Sequence, residues 1–244
     1  MFSFLKKRNV EVNTPKLTLD IHSHLIPGID DGSQSMKESI ILLKGMSDLG
    51  YEKVITTPHI MLDTYRNTPN IIYKGLSDLR NAVKEENIDI DIEAAAEYYL
   101  DDGFYDLLQK GDILSIKNEY LLFETSYVSK PFALEEMIFE ISAAGYTPMM
   151  AHPERYRYIR DPKKEYTRLK ELGVMFQVNL NSFLGHYGKS AKALANFLSN
   201  SGMIDFLGSD VHHKKQIETL SNVFQSDIYQ EIFRNNSILN DTLN

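Results

Sequence analysis

Five of the seven histidines in this chain sit in short motifs whose residue types suit metal-ion chemistry. They are Asp20-Ile21-His22-Ser23-His24, Thr57-Pro58-His59, His152-Pro153-Glu154-Arg155-Tyr156 and Ser209-Asp210-Val211-His212. In an extended segment alternate side chains point the same way, so His22 and His24 can reach one ion. With Glu97, Glu124 and Asp210 added, the set holds eight donors, all imidazole or carboxylate. The chain contains 0 cysteines, which excludes disulfides, Cys-ligated zinc, iron–sulfur clusters and thiolate nucleophiles. Mixed imidazole and carboxylate donors suit Mn²⁺, Fe²⁺ or Zn²⁺ in a hydrolase rather than structural zinc. Eight donors exceed the needs of one ion, so two to three divalent ions are expected, with Glu97 as a bridge. The four acids Asp31, Glu97, Glu124 and Asp210 do not neutralise three divalent ions. A loaded site is therefore net cationic and draws phosphate.

A lone histidine after a strand is more often a hydrogen-bonded structural residue than a ligand. The weight comes from where these donors fall together. Apolar or β-branched runs at residues 17–21, 53–57, 90–95, 120–123, 147–151, 174–178 and 204–207 predict seven strands. Helical periodicity fills residues 36–49, 71–86, 104–109, 132–144, 162–172 and 190–201, and residues from 214 onward read as one or two closing helices. Ser35 and Glu38 have capping-box spacing, and Gly50, Gly145, Gly173 and Gly202 fall where helices should end. Six of the seven predicted strands deliver a donor at the carboxyl end. In a parallel barrel those ends share one face, where such folds build their sites. The imidazoles of His22, His24, His59, His152 and His212 are accordingly expected to converge in one pocket, with His22 and His152 within about 10 Å, since bonds to a shared cluster are near 2 Å.

Composition agrees with an α/β domain. The chain has 244 residues, 43% hydrophobic and 25% charged, which suits a globular protein with a sizeable core. No linker or repeat divides it, so residues 1–16 read as a short extension and residues 17–244 as one domain. The net charge of −8 argues against nucleic acid or an anionic membrane as partner. No apolar run is long enough to insert in a membrane. The start, MFSFLKKRNVEV, lacks the apolar stretch of a signal peptide, so a cytoplasmic location is expected.

The motifs Asp20-Ile21-His22-Ser23-His24, Asp30-Asp31-Gly32, Thr57-Pro58-His59, Glu97, His152-Pro153-Glu154-Arg155-Tyr156 and Ser209-Asp210-Val211-His212 resemble those of the polymerase and histidinol phosphatase (PHP) family. The similarity is to its branch of bacterial metal-dependent protein-tyrosine phosphatases from capsule and exopolysaccharide operons. The resemblance implies a distorted seven-stranded, TIM-like α/β barrel holding up to three ions, most often Mn²⁺. It places His22, His24, Glu97 and Asp210 on a first ion, Glu97, Glu124 and His152 on a second, and Asp31, His59 and His212 on a third. It further implies in-line attack on phosphorus by water activated between the ions. Arg155, Asp210 and His212 are the expected catalytic residues, with Arg155 gripping phosphate. The implied substrate is a phosphotyrosine protein, an autophosphorylating bacterial tyrosine kinase.

One position departs from that branch. A second phosphate-binding arginine is expected just past the last Asp-x-His, where this chain reads His213-Lys214-Lys215. Lys214 or Lys215 takes its place, or the position is a solvated helix start; lysine is the poorer fork for phosphate. Arg157 lies in a basic, aromatic stretch that suits an acidic phosphopeptide. Asn179 and Asn181 end the sixth predicted strand, where they could support the site, and His186 follows in a loop. The competing enzyme is a small-molecule phosphomonoesterase of the histidinol-phosphatase type. The competing non-enzyme is a binding module of the same fold, which would be expected to have lost donors.

Overall fold

Among the described residues every pairing between one named strand and another is parallel, as expected when strands and helices alternate along a chain. The computed structural model describes residues 15–244, so all but the last two residues of the expected N-terminal extension lie outside the described residues. Strands β1 (Leu19–Asp20), β2 (Lys53–Thr56) and β4 (Asp91–Ala94) pair in the order β1-β2-β4. Strands β3 (His59–Ile60), β5 (Glu97–Tyr99), β6 (Tyr120–Glu124), β7 (Thr147–Ala151), β8 (Met175–Asn179) and β9 (Phe206–Gly208) pair in the order β3-β5-β6-β7-β8-β9.

The expected seven strands are thus nine segments, because two of the predicted runs break and resume. Pro58 has no N–H to give the ladder between β2 and β3. Between β4 and β5 the Ala96 N–H leaves its neighbour and donates to the Leu114 carbonyl at 3.1 Å. Register survives both breaks: Thr56 lies opposite Ala94, and three residues further along both strands His59 lies opposite Glu97. Seven strand lines therefore remain, arranged as a distorted barrel.

Helices α1 (Met36–Asp48), α2 (Pro69–Glu85), α3 (Asp102–Lys110), α4 (Leu134–Ala143), α5 (Pro162–Glu171), α6 (Lys189–Asn200), α7 (Lys214–Phe224) and α8 (Asp227–Asn235) complete the fold. Ser35 caps α1 by accepting from the Glu38 N–H, but Glu38 returns its carboxylate to the Gln34 N–H instead of closing a box on Ser35. Thr68, Asp101 and Asp161 cap α2, α3 and α5. Successive strand residues face opposite sides. Leu122 joins Leu19, Ile21, Ile55, Met149 and Phe206 inside the barrel, while Leu121 and Phe123 join Ile141, Phe176 and Leu198 in the layer beneath the helices. Among the described residues no helix is long and apolar enough to cross a membrane.

The barrel closes between β1 and β9. Ser23 and Val211 form a parallel bridge, the Asp210 N–H donates to the His22 carbonyl at 2.7 Å, and the His24 N–H donates to the Val211 carbonyl at 2.9 Å. Buried Asp20 accepts from the Ser209 N–H at 2.7 Å and from the Ser209 hydroxyl at 2.8 Å. At the other end of the seam the Asn240 amide donates to the carbonyls of Leu19 at 3.1 Å and Leu207 at 2.8 Å, and accepts from the Leu207 N–H at 3.0 Å. One side chain thereby satisfies backbone groups of both lips. Asn240→Ala leaves those buried groups unpaired and should lower the unfolding free energy by about 2–4 kcal/mol, read from denaturant titration.

Candidate metal centre

The strand ends bring all nine sequence-predicted donors to one face. His22 and His24 follow β1, His59 opens β3, Glu97 opens β5, Glu124 ends β6, His152 follows β7, and Asp210 and His212 follow β9. Asp31 comes from the loop after β1. The His22 and His152 rings lie 5.5 Å apart between centroids, and those of His24 and His212 4.0 Å. His152 and Asp210 adopt left-handed backbone, with φ of 34° and 50°. For residues other than glycine that conformation costs energy and gathers at functional sites. Gly208 is required for another reason: a Cβ there would lie 2.8 Å from the His22 Cβ, so only glycine lets β9 pass so close.

Hydrogen bonds fix the orientation of the first two imidazoles. His22 Nδ1 lies 2.6 Å from Gln177 Oε1, and His24 Nδ1 lies 2.8 Å from Asp30 Oδ2. The Gln177 amide is oriented in turn by its Nε2, which donates to Asn179 Oδ1 at 3.0 Å. With both Nδ1 atoms turned to those oxygens, the two Nε2 atoms are the ring nitrogens left to face the centre. They face each other at 3.3 Å, and His22 Nε2 lies 3.2 Å and His24 Nε2 3.4 Å from Glu97 Oε2. Two nitrogens bound tetrahedrally at about 2.05 Å to one ion stand roughly 3.3 Å apart. The donor set therefore fits a divalent cation.

The remaining donors form two further groups joined through Glu97. Its other oxygen, Oε1, lies 3.0 Å from His152 Nε2, and Glu124 Oε2 lies 3.9 Å from the same nitrogen. Asp31 Oδ1 lies 3.4 Å from both His59 Nε2 and His212 Nε2. The Nδ1 atoms of His59 and His152 are buried and lack hydrogen-bond partners among the described residues. His24 lies close enough to join the Asp31, His59 and His212 group, and His59 close enough to join Glu97 and Glu124.

This much buried charge shifts protonation. Burial opposes a proton on His22, but Glu97 and Asp210 outweigh it and raise its pKa. For His24 burial is outweighed chiefly by Asp30, and its pKa is pushed up to about 10. His59 is raised well above its ordinary value, burial being overcome by Glu97, Asp31 and Glu124. Asp210 and Glu97 are held below the usual carboxylate range by the surrounding imidazoles despite their burial. His152 moves the other way, lowered by burial and by Arg155. The field that draws protons onto these imidazoles is the field that would hold cations in their place.

Arg155 closes one side of the centre. Its Nη1 donates to Asp210 Oδ2 at 2.8 Å, and its guanidinium lies between two rings, 4.5 Å from the Tyr127 centroid and 4.2 Å from the Tyr187 centroid. Asp210 Oδ2 also accepts from Asn179 Nδ2 at 2.6 Å and the Tyr187 hydroxyl at 3.0 Å, which leaves Oδ1 to face His22, His24 and His212. A cavity of about 600 Å³ opens over the centre, lined by Asp31, His59, Glu124, His152, Arg155, Asp210 and His212, with aromatic walls from Tyr65, Tyr99, Tyr127 and Tyr187.

The two candidate lysines separate: Lys215 lines this cavity and Lys214, the first residue of α7, does not. Adjacent helical residues point about 100° apart, so one turn cannot aim both inward. Arg157 is exposed and lies outside this cavity, in a neighbouring one. His186 lines the cavity, Asn179 supports Asp210, and Asn181 Nδ2 donates to the Gln216 carbonyl at 3.4 Å. Sequence reasoning gave no role to Gln177, Asp30 or Tyr187. Asp30 stood within a quoted motif and Tyr187 beside His186, whereas Gln177 sits mid-strand with no local signal.

The chain is 30% identical over 198 residues to tyrosine-protein phosphatase YwqE from Bacillus subtilis, covering 81% of this chain and 78% of the relative. It is 27% identical over 201 residues to tyrosine-protein phosphatase CpsB from Streptococcus pneumoniae, covering 80% of this chain and 83% of the relative. A solved chain from the crystal structures of YwqE from Bacillus subtilis and CpsB from Streptococcus pneumoniae, described as metal-dependent tyrosine phosphatases, superposes with a TM-score of 0.77 at 27% identity, covering 90% of this chain and 96% of that one. A probable 2-pyrone-4,6-dicarboxylic acid hydrolase from Acinetobacter baumannii shares the fold at a TM-score of 0.50 and 12% identity, covering 89% of this chain and 96% of that one. With a family match that runs across residues 18–238, the chain belongs to the CpsB/CapC family of capsular polysaccharide synthesis.

Proposed function

We propose that this chain is a metal-dependent protein-tyrosine phosphatase serving capsular or exopolysaccharide synthesis. Its substrate in this reading is the phosphotyrosine of an autophosphorylating bacterial tyrosine kinase, and it works in the cytoplasm. The observation that supports the reading is a set of overlapping His/Asp/Glu groups, two of them sharing Glu97, beneath an open cavity that Arg155 also lines. The names of the relatives favour a protein phosphatase over a histidinol-phosphatase type.

In this reading His22, His24, Glu97 and Asp210 hold a first ion, Glu97, Glu124 and His152 a second, and Asp31, His59 and His212 a third, with Mn²⁺ as the native metal. When bound, the ions supply an activated water and stabilise charge on the phosphoryl oxygens. Arg155 enters the cavity with its orientation set by Asp210 and two tyrosine rings, and its fork suits phosphate oxygens. Asp210 and His212 act by holding the centre in place against that arginine. Lys215 adds a point charge at the mouth. The tyrosine-lined walls favour a flat aromatic leaving group over a serine side chain.

Metal-stripped protein reloaded with Mn²⁺, Zn²⁺ or Mg²⁺ should regain hydrolysis of a phosphotyrosine peptide, with Mn²⁺ the best, and show little activity on a phosphoserine peptide or histidinol phosphate. Faster turnover of histidinol phosphate would overturn the reading. Gln177→Leu removes the acceptor that orients His22 and should weaken metal binding about 10- to 100-fold in a chelator competition titration, with the circular dichroism spectrum retained. Arg155→Ala should keep its metal, because Asn179 and Tyr187 still hold Asp210. It should lose about 2–4 kcal/mol of transition-state stabilisation, roughly 30- to 1000-fold in kcat/KM, with partial recovery in Arg155→Lys.

A further inference from the structure

The catalytic cavity is not the only opening on this face. A second cavity of about 600 Å³ adjoins it, and the two share Tyr127, Val128, Arg155 and Tyr187 as a common wall. Beyond that wall its lining comprises Arg157, Gly188, Lys189, Ser190 and Ala191. It therefore presents Arg155, Arg157 and Lys189 and no carboxylate, in a chain whose net charge is −8. Among the described residues neither Arg157 nor Lys189 forms an ion pair. The backbone that carries Arg157 is fixed beside the shared wall, because its N–H donates to the Tyr127 carbonyl at 2.7 Å. Lys189 and Ser190 enter from the opposite side, at the start of α6.

We propose that this second cavity is a specificity subsite for an anionic side chain adjacent to the phosphotyrosine, and that the preferred substrate is an acidic phosphotyrosine peptide. The inference rests on the phosphatase reading of the neighbouring cavity and extends it. A chain that carries excess negative charge repels an acidic peptide from most of its surface, so an acid-free pocket with three cations beside the catalytic mouth fixes where such a peptide can lie. Arg155 stands in the wall between the cavities. A peptide with its phosphate on one side of that guanidinium places the neighbouring residue on the other. A carboxylate and a second phosphotyrosine supply the same chemistry here, and the substrates chosen below separate them.

The test compares four phosphotyrosine peptides of one length, carrying beside the phosphotyrosine an aspartate, an asparagine, a lysine or a second phosphotyrosine. The metal-loaded full chain is used at low and at high ionic strength. Two exposed charge pairs should make kcat/KM for the aspartate peptide about tenfold higher than for the asparagine peptide, with the gap closing in high salt. In Arg157→Glu/Lys189→Glu the order should invert, the lysine peptide becoming the best. Preference is read as a ratio within each preparation, so loss of folded or metal-replete protein cancels. A doubly phosphorylated peptide that outperforms the aspartate peptide identifies phosphate as the natural occupant, and the reverse identifies a carboxylate. Equal rates for the aspartate and asparagine peptides in wild type, or an acidic preference that survives the charge reversal, would overturn the subsite while leaving the phosphatase reading intact. Failure to hydrolyse any of the four peptides would overturn both.

Discussion

Two imidazoles whose Nδ1 atoms are engaged by Gln177 and Asp30 turn their Nε2 atoms on one another at 3.3 Å, with the Glu97 carboxylate beside them and all three side chains buried. Unpaired buried charge of this kind costs several kcal/mol, and it is tolerated only where positive charge offsets it. Much of the local sequence answers that constraint. Asp30 turns His24, Gln177 turns His22, and the pair Asn179 and Tyr187 spend their donors on the Asp210 oxygen that faces away from the histidines. Gly32 lies against the His24 backbone and Gly208 against His22, positions where any side chain would displace a donor. The left-handed turns at His152 and Asp210 are further costs that the rest of the barrel sustains.

What the sequence made legible was whatever a strand periodicity can carry. Donor residues one or two positions past an apolar run are visible because the run ends where the barrel face begins, and His22, His59, Glu97, Glu124 and His152 stand there. Partnerships that cross the barrel are not visible. Gln177 reads as an ordinary strand residue until its neighbour across the barrel is known to be a histidine. Arg155 could be suspected of pairing with Glu154 next to it, yet the short turn at Pro153–Arg155 sends Glu154 inward to the Ser182 hydroxyl and the Asn179 N–H and sends Arg155 to Asp210. The predicted run stops at residue 57, before Pro58, but the short resumption of the strand at His59–Ile60 beyond the proline is not foreseen. The break at Ala96 has no local signal, because its cause is the Leu114 carbonyl approaching from another segment.

Other buried acids hold the scaffold together without facing the cavity. Burial pushes Glu154 up to about 7 in spite of its bonds to Ser182 and Asn179, and Asp20 up to about 6 in spite of its bonds to Ser209. Each links segments distant in sequence: Glu154 ties the turn after β7 to the end of β8, and Asp20 ties β1 to the turn after β9. They are placed where backbone N–H groups would otherwise be orphaned by the ends of strands, so they do for the loops what the ladders do for the sheet.

The seam between β1 and β9 joins the two strands that lie farthest apart along the chain, and closing so long a loop is entropically the most expensive pairing in the barrel. His22 and His24 stand on one lip and Asp210 and His212 on the other. An ion held by His22, His24 and Asp210 would thus be a cross-link between the two lips of the seam. Any fluctuation that parts the lips dismantles its coordination sphere, and any ion in place raises the free energy of that fluctuation by its own binding energy. Parting of the lips and release of such an ion would consequently be a single coupled equilibrium.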